Sequence, residues 1–398
     1  MVTLATYDDA REAFRSRHLR QALYDEGGRL MTGVIVNLHG DEHVARRRLE
    51  NRLFRPDVFA RYERDRIPAI IDRVLAPSLD AGRADLAPLA RATMMTLSVG
   101  VAGVDGTHDG EHDIARLHDI MDRLARASTV AHATGDRAAI VDDGDAALDE
   151  FDRAFFRPSL HRRAALVQRL AKGEIDETDL PDDVLTTLLR NHDRLDLSPA
   201  TVLREVAYFP WVGSHSTSNQ FVHAMHHVFT WLAARPQDRT RLADDGTRQR
   251  FVHESLRLHP ASPVAVRVAV EDVELRSGLR IGRGERVVID VAAANRDPAA
   301  VGPDGERFDP HRPRADGVPP WGLSFGHGPH ACLGRELAGG RPPDDDGADP
   351  ALLGAITLLV GAVLAAGGRP DPHEPPTLDR STTRHVWARY PVVFEPSP

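Results

Sequence analysis

Leu197-Ser198-Pro199 opens a helical pattern that runs to Arg235-Pro236. Ser198 suits the N-cap, where its hydroxyl can accept a backbone N–H. Pro199 suits the first helical position, where a missing N–H costs nothing. A helix from Pro199 to about Ala234 would hold roughly 35 residues and reach on the order of 50 Å. A rod of that length crosses a whole domain, so the rest of the chain must wrap around it. From Asp8 to about Arg257 the pattern is mainly helical, with apolar residues three and four apart, as in Arg48–Phe54 and Ile114–Ala127. Beyond Pro260 the texture changes. Val264–Val270, Val273–Leu275 and Arg286–Val291 predict short strands between Gly, Asp and Pro turns. Asp297–Pro320 reads as irregular, and residues 339–350 predict a solvated loop insertion. The expected class is mainly α with a small β portion, and no linker or repeat divides residues 1–398, so one domain is expected.

Composition narrows the function. The formal net charge of −9 gives no footprint for nucleic acid or an acidic membrane. Cys332 is the only cysteine, which excludes an intramolecular disulfide and any multi-cysteine metal site. The N-terminus carries no basic region followed by an apolar core. Ala351–Ala366, the most apolar stretch, falls short of the ~20 residues that span a bilayer and predicts a buried helix. A cytoplasmic monomer is expected, with neither nucleic acid nor membrane as partner.

The cysteine stands in Trp321-Gly-Leu-Ser-Phe325-Gly326-His327-Gly328-Pro329-His330-Ala331-Cys332-Leu333-Gly334-Arg335. Its glycines allow a tight loop whose backbone can approach a flat ligand closely. A helix beginning near Arg335 would place N–H groups toward the sulfur and lower its pKa. Taken alone, Cys332 could be a small buried hydrophobe or a nucleophile with His330 as base. Phe325-Gly326-x-Gly328-x-His330-x-Cys332-x-Gly334 resembles the haem-binding loop of the cytochrome P450 family at every signature position, including Phe325, Gly326 and Gly334. The resemblance implies that fold in a single haem domain, with haem b as cofactor and the Cys332 thiolate as iron ligand, pushing electron density toward the iron.

Other segments match in the family's order. His253-Glu254-Ser255-Leu256-Arg257 contains Glu-x-x-Arg, and Gly305-Glu306-Arg307-Phe308-Asp309-Pro310 resembles the Arg-Phe motif. The resemblance implies a buried Glu254–Arg257–Arg307 network behind the haem. His43 and Arg47, four apart on one helix face, resemble the His-x-x-x-Arg pair that clamps haem propionates. Arg267 and His330 match two further propionate partners. The arginine-dominated basic residues, with Lys172 the sole lysine, fit a bacterial source. The family has a longer region ahead of Tyr7-Asp8-Asp9, so an opening helix and strand are expected to be absent.

Oxygen activation needs protons delivered across the long helix, where the family places an acid followed by an alcohol. Here Gly213 fits the family's glycine, His215 stands at the acid position and Ser216 at the alcohol position, followed by Thr217. Two readings stay open. His215 and Ser216 relay protons and the chain is a monooxygenase; or oxygen activation is weakened and it uses peroxide or performs coupling or rearrangement. A catalytically silent haem-binding protein is the alternative from another class. By position, Val34, Ile35, Tyr208, Trp211, Val212, Val264 and Ala265 are expected to line a pocket for a mid-sized apolar or aromatic small molecule, in the setting of bacterial secondary metabolism. A ferredoxin-type partner with a separate reductase is expected to dock near Arg46, Arg48 and Arg335, and the 339–350 loop to affect that docking. His223 and His227, four apart, could offer a metal pair, but with no third ligand in view a helix-surface explanation is favoured.

Overall fold

The computed structural model describes residues 2–105, 111–342 and 351–394, with Glu111 and His112 described by their backbone alone. The helix Pro199–Ala234 forms over its whole expected length and runs unbroken through Pro210. Ser198 caps it, its hydroxyl accepting the Thr201 N–H at 3.1 Å. The helix Leu86–Ala102 lies against it at very close range. A Cβ on Gly213 would stand 2.6 Å from Ser98 Oγ, so the serine hydroxyl occupies the space that glycine leaves. Around the two helices Phe221, Val222, Met225 and Val228 join Met94, Met95 and Val99 in the main apolar core. The apolar stretch near 351–366 is the helix Ala355–Ala365, buried through Ile356, Leu359, Val360 and Val363. Among the described residues no helix is long and apolar enough to cross a membrane.

The β portion is a four-stranded sheet ordered Val2–Leu4, Arg286–Asp290, Val264–Ala269, Leu19–Gln21. Its first pair is parallel and the others antiparallel. Leu4, Leu19, Val287 and Ile289 form a second, smaller core beneath it. The register sets Arg267 opposite Gln21, which matters for the site. Leu19–Gln21 and Arg83–Asp85 fall within the stretch expected to be mainly helical; three residues are too few for a period to show. Of the expected 339–350 loop, residues 343–350 lie outside those described. Its base is closed by paired backbone hydrogen bonds between Arg341 and Leu352, at 2.7 and 2.9 Å.

One buried charge cluster fastens the segment at Ile35 to the long helix. Glu205 accepts the Ile35 N–H at 3.0 Å and an Arg46 N–H at 2.9 Å. Glu50 is fully buried 4.0 Å from Arg46, and neither of its oxygens has a hydrogen-bond partner. Arg46 is therefore an interior ion-pair partner, which removes it from the expected docking surface. Two carboxylates share one guanidinium, so burial and then the Glu205 charge push Glu50 well above the ordinary carboxylate range. Burial also raises Glu205, to about 7, against the pull of Arg46. With folded values above unfolded ones, the native state holds extra protons. The resulting stabilisation is complete below about pH 4.5, the ordinary value, and is lost as pH rises through the folded values. Glu50→Gln fixes the neutral form. In thermal melts at pH 5.5 and 8.5 the variant is expected to lose less of its midpoint than the parent; equal losses would assign the charge imbalance elsewhere.

Candidate functional site

The loop before Cys332 is fixed by its backbone. Cys332 N–H donates to the Phe325 carbonyl at 2.8 Å, closing the turn. Gly326 and Gly328 hold φ of +66° and +68°, a region where a Cβ is unfavourable. A Cβ on Gly328 would also come within 2.7 Å of the Phe14 carbonyl, so the loop seats directly on the helix Tyr7–Arg15. The Cys332 side chain opens onto a cavity of about 300 Å³ while protein surrounds it on its other sides. That burial pushes the thiol up. The Gly334 N–H and the Arg47 and Arg335 guanidiniums oppose it, and these are the groups that favour a thiolate. The expected lowering of the thiol by the following helix is thus outweighed by the protein around it.

Four basic side chains gather at the same cavity. Arg267, 3 % exposed, reaches it from the sheet. Its hydrogen bonds go to neutral acceptors, the Gln21 side-chain oxygen and the Val266 carbonyl. Burial lowers it to about 10. Arg47 bonds Asn51 and the Ala331 carbonyl, neutral groups again. His43 stacks on His330 with ring centroids 4.0 Å apart, and His43 Nε2 is buried without a partner. Burial, then the Arg47 charge, lowers His43 to about 4; burial, then His43 and Arg267, lowers His330 to about 3. Buried cations with only neutral partners carry an uncompensated charge. The donor set fits a flat ligand with carboxylates along one edge and a metal that Cys332 can reach.

The long helix brings Gly213, Ser216 and Thr217 to this cavity, together with Tyr208 and Val212; Ile35 and Ala265 also line it. His215 is placed elsewhere. It lines a second, polar cavity of about 180 Å³, which shares Val212 and Ser216 with the first. One ring nitrogen of His215 lies 2.7 Å from Asp122 Oδ1 and the other 2.9 Å from the Trp211 carbonyl. Asp122 also takes Arg91 at 2.9 Å. Burial would raise Asp122, but His215 and Arg91 outweigh it and hold the carboxyl below its ordinary value. The Ser216 hydroxyl donates to the Val212 carbonyl at 2.6 Å, leaving its oxygen lone pairs free to accept.

Three expected pocket residues miss the thiol cavity. Trp211 lines the polar cavity and meets Tyr208 edge-on, because it lies on the helix face that also carries His215. Val34 is buried in the main core, and Val264 is half-buried at the start of its strand. In exchange, Tyr24, Phe209, and Met94, Leu97 and Val101 of the helix Leu86–Ala102 line the cavity. Their three- and four-residue spacing marks a buried face, but spacing alone does not say what a face meets.

The network behind the loop is also rearranged. Arg257 pairs both its Nε and Nη2 with Glu254, at 2.8 and 2.7 Å, and donates to the Asn295 and Gly305 carbonyls. The second guanidinium on Glu254 belongs to Arg312, at 3.1 Å. Arg307 has an exposed side chain and offers only its carbonyl to Arg257 and Arg312. The Asp309-Pro310 turn carries the chain back over Glu254, with the Asp309 N–H at 3.0 Å from its carboxylate. Arg312→Ala leaves Glu254 paired with Arg257 but removes the second guanidinium and its carbonyl contacts, and is expected to cost about 1–3 kcal/mol in denaturant unfolding. Arg307→Ala should stay within about 0.5 kcal/mol, and equal losses would restore Arg307 to the network.

Comparison with known proteins places this architecture. The cytochrome P450 sequence profile matches residues 248–339. A protein of Mycobacterium tuberculosis named, provisionally, cytochrome P450 140 is 53% identical over 87 residues, 22% of this chain and 18% of that protein. Mycinamicin IV hydroxylase/epoxidase of Micromonospora griseorubida is 36% identical over 160 residues, 39% of this chain and 38% of that protein. The matched stretches thus span well under two thirds of these relatives. Over its full length the chain superposes on CalO2 with TM-score 0.72 and 24% identity, covering 100% of this chain and 91% of that one. Epothilone D-bound P450epoK gives TM-score 0.74 at 20% identity, covering 99% and 91%.

Proposed function

This chain belongs to the cytochrome P450 family, and we propose that it is a haem-thiolate monooxygenase acting on a mid-sized apolar small molecule. What supports the reading most is the convergence of the Cys332 thiol with Arg47, Arg267, His43 and His330 on one cavity. In it Cys332 would hold the iron of haem b and the four basic residues its two propionates. Bound there, haem supplies reductive activation of dioxygen. The chain's own residues bind the substrate and manage protons. Met94, Leu97, Val101, Phe209 and Val212 give the cavity a largely apolar stretch of wall, with Tyr24, Tyr208, Ser216 and Thr217 among its polar groups. The named relatives include a mycinamicin hydroxylase/epoxidase and a vitamin D(3) 25-hydroxylase. A mid-sized apolar substrate from bacterial secondary metabolism fits that lining. Electrons would come from a separate ferredoxin-type protein docking near Arg48 and Arg335.

The proton route would pass through the polar cavity. Asp122 and His215 stand on its wall, and Ser216 stands on the walls of both cavities. In this reading the carboxylate that the family carries on the long helix is supplied from the helix Glu111–Ser128, with His215 between it and Ser216. Solvent in the polar cavity completes the path to the Ser216 hydroxyl. The placement of His215 away from the thiol cavity favours a second reading, a peroxide-using enzyme, because hydrogen peroxide brings its own protons.

Two measurements test these readings. Cys332→Ala is expected to abolish the absorption signature of a thiolate-ligated ferrous–CO complex; a retained signature would overturn the ligand assignment. With a reductase chain, His215→Ala and Asp122→Asn are each expected to slow product formation, on the order of 100-fold. Peroxide-driven turnover should be spared. Unchanged reductase-driven turnover in both variants would sink the relay and leave the peroxide reading.

A further inference from the structure

Two turns beyond Ser216, the long helix carries a group of histidines that the thiol cavity does not use. His223 is 3 % exposed. One of its ring nitrogens, Nε2, lies 2.8 Å from the His385 backbone carbonyl, and the other, Nδ1, is buried with no partner. A carbonyl can only accept, so Nε2 carries the hydrogen and Nδ1 presents a bare lone pair. That is the arrangement of a metal-ligating histidine, whose second nitrogen is tied to a carbonyl that fixes the tautomer.

The sequence shows no third ligand near His223 and His227, but the fold brings two from distant segments. His259 caps the C-terminal end of the helix Asp245–Leu258, and its ring stacks on His223 at 4.3 Å. His385 comes from the C-terminal segment and is exposed. One nitrogen from each of His223, His259 and His385 lies within 4.8 Å of the others. The three line a separate cavity of about 300 Å³.

We propose that His223, His259 and His385 form a binding site for a borderline transition-metal cation such as Zn²⁺. Imidazole donors select this class over Mg²⁺ and Ca²⁺, which prefer oxygen. Arg296 and Arg384 line the same cavity and oppose any cation there, although Arg296 is paired with Glu306 at 2.6 Å. A tetrahedral centre has Zn–N bonds of about 2.1 Å, so the nitrogens must draw in to roughly 3.4 Å of one another. Rotation of the exposed His385 ring, and of His259 out of its stack, provides that closure. Three histidines leave a fourth position for water. His385 opens the site to solvent, which gives the ion an entry path. Gln220, one turn before His223, lines both this cavity and the thiol cavity. Arg384 and Val386, on either side of His385, also line the polar cavity beside His215. An ion here would tie the C-terminal segment to the long helix within reach of both.

The test is calorimetric titration of Zn²⁺ into the haem-loaded full chain, compared with His259→Ala, His385→Ala and His192→Ala. One Zn²⁺ per chain is expected. Losing an outer partner of a ligand already costs about 10- to 100-fold in affinity, so each of the first two substitutions should weaken binding by more than tenfold. His192→Ala, at an exposed residue outside the cluster, should not. His385 is exposed, so its replacement spares the core, and an unchanged haem spectrum confirms the fold. No Zn²⁺ binding by the parent chain, or equal binding by parent and His385→Ala, would overturn the proposal.

Discussion

The close crossing of the long helix with Leu86–Ala102 governs everything built upon it. At Gly213 the Ser98 side chain sits against the helix, and a methyl group would stand 2.6 Å from its Oγ. That crossing fixes the rotation of a 36-residue helix about its own axis. The rotation in turn decides which side chains face which space. Val212, Ser216 and Thr217 reach the thiol cavity, Trp211 and His215 reach the polar one, and His223 falls at the third. Neighbours in sequence stand about 100° apart on a helix, so His215 and Ser216 are adjacent in the chain yet His215 does not line the cavity that Ser216 does.

Charge balance explains why the site takes a particular ligand. In the interior the chain pairs its guanidiniums with care: Arg257 and Arg312 share Glu254, and Arg46 lies between Glu205 and Glu50. Against that habit, Arg267 is buried with neutral acceptors alone. The sheet register fixes its place, because strand pairing opposite Gln21 holds it and the Phe14 ring lies 5.3 Å beneath it. A cation held so firmly without a counter-charge marks the place of an anion that the protein does not supply.

Much of this was legible in the sequence, and the division follows physical lines. Local signals held: Ser198-Pro199 placed the helix start, and the glycines around Cys332 gave the loop. The His43–Arg47 spacing put both side chains at one cavity. Contacts across the fold were harder. Arg307 and Arg312 are five residues apart in one irregular stretch, where no period says which side chain turns inward. Asp122 and His215 are 93 residues apart, and nothing near either announces the other. His259 and His385 are likewise invisible from His223, since each arrives on its own segment.

The position where the acid is missing from the long helix therefore changes meaning once the neighbouring helix is included. A carboxylate on the long helix would be a local group, reaching Ser216 from the same turn. Here the carboxylate is remote and the histidine is local. Both ring nitrogens of His215 are engaged, one with Asp122 at 2.7 Å and the other with the Trp211 carbonyl at 2.9 Å. His215 and Arg91 together hold the Asp122 carboxyl below its ordinary value. The His215–Asp122 pair joins a side chain of the long helix to one of the helix Glu111–Ser128. In the proposed relay, the part the family gives to one side chain would be divided between two helices.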